Sequence, residues 1–428
     1  EFIMEKKLKS VLAIYLIFLF STFTAMAEPQ SKPNGPWLQP DQYVNLSSLF
    51  QPDTLNEKLH QIADQAVEGR MELEMIGSSA GFEWPMYLVK FGSADEDKAK
   101  ILIDSQIHGN EPLGTETLVE MIKKLATSNS REVKEILDNV VVWVIPMLNR
   151  DGATIFERET ETYRGDAQTR QNVQHWTPGE WNLQYYCPSP WYHRDETTRG
   201  TPGYDINRDA HPHLYFDLYE HQDQHSPCDP DQNWGGQPGF YVTPEARALR
   251  NTFRRLMPDV YINHHHRGSN VISEDDNQRV FLQIYAQFVP LDRVDTIIDD
   301  YVEYSYSLSE ESLEFSKKVN ALVYQKLQRG NSPFSAITKY PRVEDYYGGQ
   351  GLPGTTLASF SMNGAAVMLY EVSAIGQKMN GMLIRQSYIG IWETLLGLAN
   401  GEIYEVDPDS YDAIPEAGPR IRNPRPTI

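Results

Sequence analysis

The chain has 428 residues, 40% of them hydrophobic and 11% aromatic, enough for a sizeable core in one large domain or two ordinary ones. Its 59 acidic residues outweigh 38 basic ones, giving a formal net charge of −21. That balance argues against nucleic acid as a partner and against docking on an acidic membrane surface.

Taken in order, the chain opens with an export signal. Glu1-Phe2-Ile3 read as residues appended ahead of Met4. Lys6, Lys7 and Lys9 precede an apolar run from Val11 to Phe20, and Ala25-Met26-Ala27 offers a small-x-small cleavage site. The run is too short for a membrane anchor, and no charged stop-transfer segment follows it. Residues 1–27 are therefore expected to be a signal peptide, and the mature protein to be secreted or periplasmic with no integral membrane segment. Residues 28–50, rich in Pro, Ser and Gln, are expected to be a linker.

Apolar spacing predicts a helix over Thr54–Val67, then strands at Met71–Ile76 and Trp84–Phe91 across a Gly-Ser-Ser-Ala-Gly turn. A strand over Lys98–Asp104 leads into a helix begun by Pro112 and carried by Leu118, Met121, Ile122 and Leu125. A helix at Glu132–Leu137 and a strand at Val140–Pro146 follow. Strand, helix, strand with near-continuous apolar strands predicts an α/β fold: a single large domain with a mixed, mostly parallel twisted sheet covered by helices on both faces. Residues 165–235 break the rhythm and read as a long insertion. Cys187 and Cys228 lie inside it, and a disulfide between them is expected in an exported chain. Regular structure resumes with a helix at Pro244–Met257, a strand at Val260–Asn263 and a helix at Glu310–Leu327. A strand at Gly364–Glu371 and a helix at Gly381–Ala399 complete the body, and a loose tail is expected over 401–428.

Polar residues at strand ends carry the chemistry. His108 and Glu111 follow the apolar strand at its carboxyl end, where open α/β sheets place their sites, and imidazole with carboxylate suits zinc. The pair alone is a weak motif, since acidic residues and histidines are common in this chain. Asn263-His264-His265-His266-Arg267-Gly268 closes another strand, and one imidazole from it would complete a His₂Glu set, the catalytic type that leaves a fourth position for water. Glu371 ends an apolar strand, where a lone carboxylate needs a partner or a task. Asn207-Arg208 pairs an amide with a guanidinium, the fork that grips a carboxylate.

In this order the motifs resemble the zinc carboxypeptidase family, the carboxypeptidase A-like metallopeptidases, over roughly residues 50–400. His108-Gly-Asn-Glu111 is similar to its His-x-x-Glu, Asn149-Arg-Asp-Gly152 to its Asn-Pro-Asp-Gly, and Asn207-Arg208 to its Asn-Arg pair. The resemblance implies one zinc per chain held by His108, Glu111 and His265, with His264 and His266 pointing the other way by strand alternation. It implies Glu371 as the catalytic carboxylate and Asn207 and Arg208 on the substrate's terminal carboxylate. Arg164, with Arg158 as competitor, would stabilise the oxyanion, and Tyr347, with Tyr346 as alternative, would close over substrate. The expected activity is hydrolysis of C-terminal peptide bonds by metal-activated water. Alternatives are a zinc amidase acting on cell-wall peptides or another non-protein amide, or a catalytically dead zinc-binding recognition module. Arg150 stands where the family has Pro, and Asp209 where it commonly has Asn.

Overall fold

The computed structural model describes residues 48–154, 168–174, 203–216, 238–268, 270–275, 278–298, 301–329, 332–373 and 379–420, with backbone pairing alone at 30–31, 44–45 and 193–194. Arg158, Arg164, Cys187, Cys228 and the expected signal peptide lie outside the described residues. Helix α1 (Pro52–Gln65) precedes strands β1 (Glu72–Ser78), β2 (Pro85–Phe91) and β3 (Ala99–Ser105). Helices α2 (Leu113–Thr127) and α3 (Arg131–Asn139) lead to β4 (Val140–Ile145), and α4 (Pro244–Leu256) to β5 (Val260–Arg267). Then come β6 (Leu282–Tyr285), α5 (Glu310–Gln328), β7 (Ile337–Lys339), α6 (Thr356–Met362), β8 (Ala366–Ser373) and α7 (Asn380–Asn400).

The strands form one eight-stranded mixed sheet in the order β7-β6-β8-β5-β3-β4-β2-β1. The four central strands run parallel, as do β6 and β7, while β6 with β8 and the β4-β2-β1 edge are antiparallel. Burial explains the pattern. All six residues of β4 and all eight of β8 are buried, as strands covered on both faces must be, whereas β1 at the edge has no fully buried residue.

Strand alternation in β5 sorts the helices onto the two faces. Tyr261 points to one face, where its ring meets Phe360 of α6, and Phe360 in turn stacks on Phe253 of α4. His264 points to the other, toward Ser387 of α7, which packs with α2, α3 and α5. The chain therefore leaves β3 over one face to reach β4 and comes back over the opposite face, through α4, to lay down β5. The gap between the carboxyl ends of β3 and β5 is a topological switch point, the place where open sheets bind ligands.

Three differences from the sequence reading have physical reasons. Strand β5 continues to Arg267, so the three histidines lie within the strand and inherit its alternation. Strands β6 and β7, of 4 and 3 residues, and the hairpin Val294–Ile298 with Tyr301–Tyr306 are too short or too mixed to show a period. The tail is packed as far as residue 420: Ile403, Tyr411 and Ile414 are buried, the Lys339 N–H donates to the Pro415 carbonyl at 2.7 Å, and Arg420 bridges to Asn270.

Candidate active site

The register of the central strands brings the site together. In the parallel pairing of β8 with β5, Glu371 lies directly opposite His265, and β5 also pairs with β3, which sets Ser105 opposite His264 three residues short of His108. Past Ser105 the chain bends through Gln106, held at φ 55°, a left-handed conformation that a non-glycine side chain adopts only under constraint. The constraint is visible: the Gln106 amide donates to the Gly109 carbonyl at 2.8 Å, and its oxygen accepts from the Thr115 hydroxyl at 2.5 Å. Gly109 packs so closely on Gly152 that an added Cβ would sit 2.0 Å from the Gly152 carbonyl carbon. Backbone-to-backbone contact thus joins the two loops.

His108, Glu111 and His265 meet with ligand atoms within 4.8 Å of one another, all buried. His108 Nδ1 is 2.9 Å from Glu111 Oε1, His265 Nδ1 is 2.9 Å from Glu111 Oε2, and the two Nδ1 atoms are 3.1 Å apart. Tetrahedral bonds of about 2.0–2.1 Å to zinc would set such atoms roughly 3.3 Å apart, so two imidazoles and one carboxylate converge at the spacing a zinc ion needs. The opposite ring nitrogens are oriented from behind. His265 Nε2 contacts Asn263 Oδ1, whose amide nitrogen donates 3.0 Å bonds to both oxygens of buried Asp104, and His108 Nε2 faces Asp205 Oδ1 at 3.4 Å. Such outer partners fix tautomer and ring direction in metal sites. Burial drives the His265 imidazole down to about 4, which keeps it neutral as a metal ligand must be. Burial opposes ionisation of Glu111, yet the two imidazoles, His108 foremost, hold its carboxyl well below the usual range.

His264 and His266 turn to the other face. The His264 ring stacks on Tyr370 and faces the Ser387 hydroxyl at 3.0 Å, while His266 Nε2 accepts the Leu113 N–H at 3.0 Å at the start of α2.

Around the cluster lies a cavity of about 350 Å³, whose wall includes Arg170, Asn207, Arg208 and Glu371 beside the three convergent residues. Glu371 is pushed up to about 7 by burial and then by the Glu111 charge; a cation held by Glu111 offsets the second cause. Asn207 Oδ1 accepts the Thr356 N–H at 3.3 Å, and Arg208 reaches the Asn207 carbonyl at 2.7 Å through one nitrogen.

Sequence reasoning missed Arg170. Its Nε makes a 2.7 Å bond to Asp205 Oδ2 and its Nη1 lies 3.3 Å from His108 Nδ1. Its backbone is equally fixed: the Arg170 carbonyl accepts from Asn149 Nδ2 at 3.0 Å, and Asn149 also donates to the Ile107 carbonyl at 3.1 Å. Arg158, Arg164 and Arg170 follow Gly152 at equal intervals of sequence, so local spacing alone does not choose among them. Tyr340, also missed, lines the cavity; Tyr347 is not part of its wall and sits at φ 54° in the short segment Tyr346–Gly349.

Comparison with known proteins bears on the fold and the family. The fold matches that of bovine thrombin-activatable fibrinolysis inhibitor, solved in complex with tick carboxypeptidase inhibitor, at a TM-score of 0.52 and 16% identity, covering 84% of this chain and 98% of that one. Carboxypeptidase E of Caenorhabditis elegans is 26% identical over 110 residues, 23% of this chain and 20% of its own. A zinc carboxypeptidase of Saccharothrix mutabilis subsp. capreolus is 27% identical over 90 residues, 21% of this chain and 20% of its own. The matched stretch spans about a fifth of the length of these relatives. The zinc carboxypeptidase family profile matches residues 57–346, well over half of the chain, a stretch that holds His108, Glu111 and His265 and stops short of Tyr347 and Glu371. On that match, and with the fold and the convergent His-Glu-His cluster described above, the chain belongs to the zinc carboxypeptidase family.

Proposed function

We propose that the protein is an exported zinc carboxypeptidase that hydrolyses the C-terminal peptide bond of peptides. The observation that carries this reading is the meeting of His108, Glu111 and His265 with Glu371, Arg170 and Arg208 in one cavity. His108, Glu111 and His265 would hold one zinc ion, which when bound polarises the scissile carbonyl and lowers the pKa of water. Glu371, across the ladder from His265, takes the proton of the attacking water and returns it to the departing amine. Arg170, braced by Asp205, supplies positive charge where the carbonyl oxygen becomes negative. Asn207 and Arg208 grip the substrate's terminal carboxylate, a bidentate match for a guanidinium. The leader-like run ahead of Ala25-Met26-Ala27 supports a secreted or periplasmic location. Among the described residues no helix is long and apolar enough to cross a membrane.

The terminal-carboxylate grip is the part that makes the enzyme an exopeptidase, so it is the part to test. Arg208→Ala should weaken cleavage of free-acid peptides by about tenfold or more in kcat/KM and hardly change that of C-terminally amidated ones. An equal loss on both would favour an amidase acting on cell-wall peptides, whose site has no need of a free terminus.

A further inference from the structure

Four guanidinium groups line the cavity, those of Arg170, Arg208, Arg267 and Arg420, against the carboxylates of Glu111 and Glu371. This reverses the balance of a chain with 59 acidic and 38 basic residues. The reaction proposed above uses Arg170 and Arg208, and Glu111 belongs to the metal cluster. Arg267 is left over. It lies two residues beyond His265 on β5, on the same face of the strand, so its side chain leaves the sheet beside the metal cluster. Its guanidinium sits 4.5 Å from the centre of the Tyr340 ring, and its Nη1 is buried with no hydrogen-bond partner among the described residues. No carboxylate among the described residues forms an ion pair with it. A buried guanidinium nitrogen without an acceptor is unfavourable unless something brings the acceptor in. Arg420, the last described residue of the packed tail, adds a second positive charge to the same wall.

We propose that Arg267, with Arg420 adding charge nearby, binds a second carboxylate on the substrate, so that the preferred peptides carry Glu or Asp at one of the two residues flanking the scissile bond. The inference rests on the peptidase reading above and goes beyond it in naming the substrate class. The terminal carboxylate occupies Arg208, and a side-chain carboxylate supplies an acceptor for Arg267 Nη1, which has none among the described residues.

Glu and Gln have the same shape and differ in charge, so paired peptides test the idea, one pair differing at the C-terminal residue and the other at its neighbour. The wild-type enzyme should cleave the Glu member about ten- to a hundredfold faster in kcat/KM at one of the two positions, the scale of a charge-assisted hydrogen bond. Arg267→Gln should bring that ratio close to one, and Arg267→Lys, which keeps the charge, should retain much of it; circular dichroism and zinc content check that each variant folds. A wild-type ratio near one at both positions overturns the proposal, as does a ratio that survives in Arg267→Gln. An equal loss on Glu and Gln peptides also overturns it, because Arg267 would then serve only as a neighbour to Glu371. Release of no C-terminal residue from any of the peptides is a separate result, and it overturns the peptidase reading itself.

Discussion

Glu371 lies two residues from the end of a strand that is buried along its whole length, and its use as a base depends on the residue across the ladder. If it accepts a proton rather than binding metal, Glu371→Gln keeps the shape and loses only the basic oxygen. Turnover should fall by roughly 10²-fold or more while zinc stays near one per chain. Wild-type turnover in that variant would remove Glu371 from the chemistry. Arg170 makes a second residue-scale prediction. Arg170→Ala should lower kcat by about 10²–10³ with a smaller change in KM, the usual effect of removing a donor to a developing oxyanion. A larger loss in Arg164→Ala would return the role to the residue that the family resemblance suggested. His108, Glu111 and Glu371 were legible in the sequence because the first two follow directly on an apolar strand and the third interrupts one. Arg170 was not, because what places it in the site is the amide of Asn149 and the carboxylate of Asp205, both distant in sequence.

At the scale of elements, the departures from the family pattern become anchors. Arg150, fully buried, donates to the Pro52 carbonyl at 3.3 Å and contacts Asn56 Oδ1, so it ties the turn after β4 to α1. Asp209 accepts N–H bonds from Val242 at 2.9 Å and Thr243 at 2.7 Å, which fixes the entry into α4. The segment that carries Arg170 has a titratable anchor of its own. Glu245 of α4 accepts from the Ala80 N–H at 3.0 Å and from Asn172 Nδ2 at 3.1 Å, and it is pushed up to about 8 by burial and by the nearby Asp151 charge. A carboxyl whose folded pKa lies above its unfolded value binds more protons when folded, so its contribution is complete below about pH 4.5 and is lost as pH rises toward 8. Glu245 should therefore make wild-type stability fall across that window, by at most about 1.4 kcal/mol per pH unit, and Glu245→Gln should flatten the slope. Thermal melts of both proteins from pH 5 to 8 decide it; parallel slopes would show that Glu245 does not titrate there.

At the scale of the whole molecule, one cluster joins β3, β5 and the loop into α2, so metal and fold are linked. Zinc bound only to the folded chain adds RT ln(1 + [Zn]/Kd), about 2.7 kcal/mol at a hundredfold excess over Kd. Removing it with a chelator should abolish hydrolysis and lower the melting midpoint by a few degrees, and added zinc should restore both. Calorimetry on the stripped and reloaded protein tests this, and an unchanged midpoint would mean that the cluster holds no metal of consequence.

The sequence by itself determined the α/β class, the central strands and long helices, and the strands beside or within which His108, Glu111, His265 and Glu371 stand. It could do so because burial on both faces imposes continuous apolar runs, and because a polar residue that ends such a run is conspicuous. The choice of His265 over its two neighbours was likewise legible, since the period of a strand is two and its phase follows from the resemblance. Only the tertiary structure decided what depends on distance between remote segments: that β8 lies beside β5 with Glu371 opposite His265, that a guanidinium, that of Arg170, stands beside His108, that the tail to residue 420 packs onto the body, and that Arg267 Nη1 is buried without an acceptor among the described residues. Short strands such as Leu282–Tyr285 carry too few residues to show a period, and side chains that meet across more than a hundred positions leave no mark in local spacing. Those contacts are fixed by the order of strands in the sheet, which no single stretch of the chain contains.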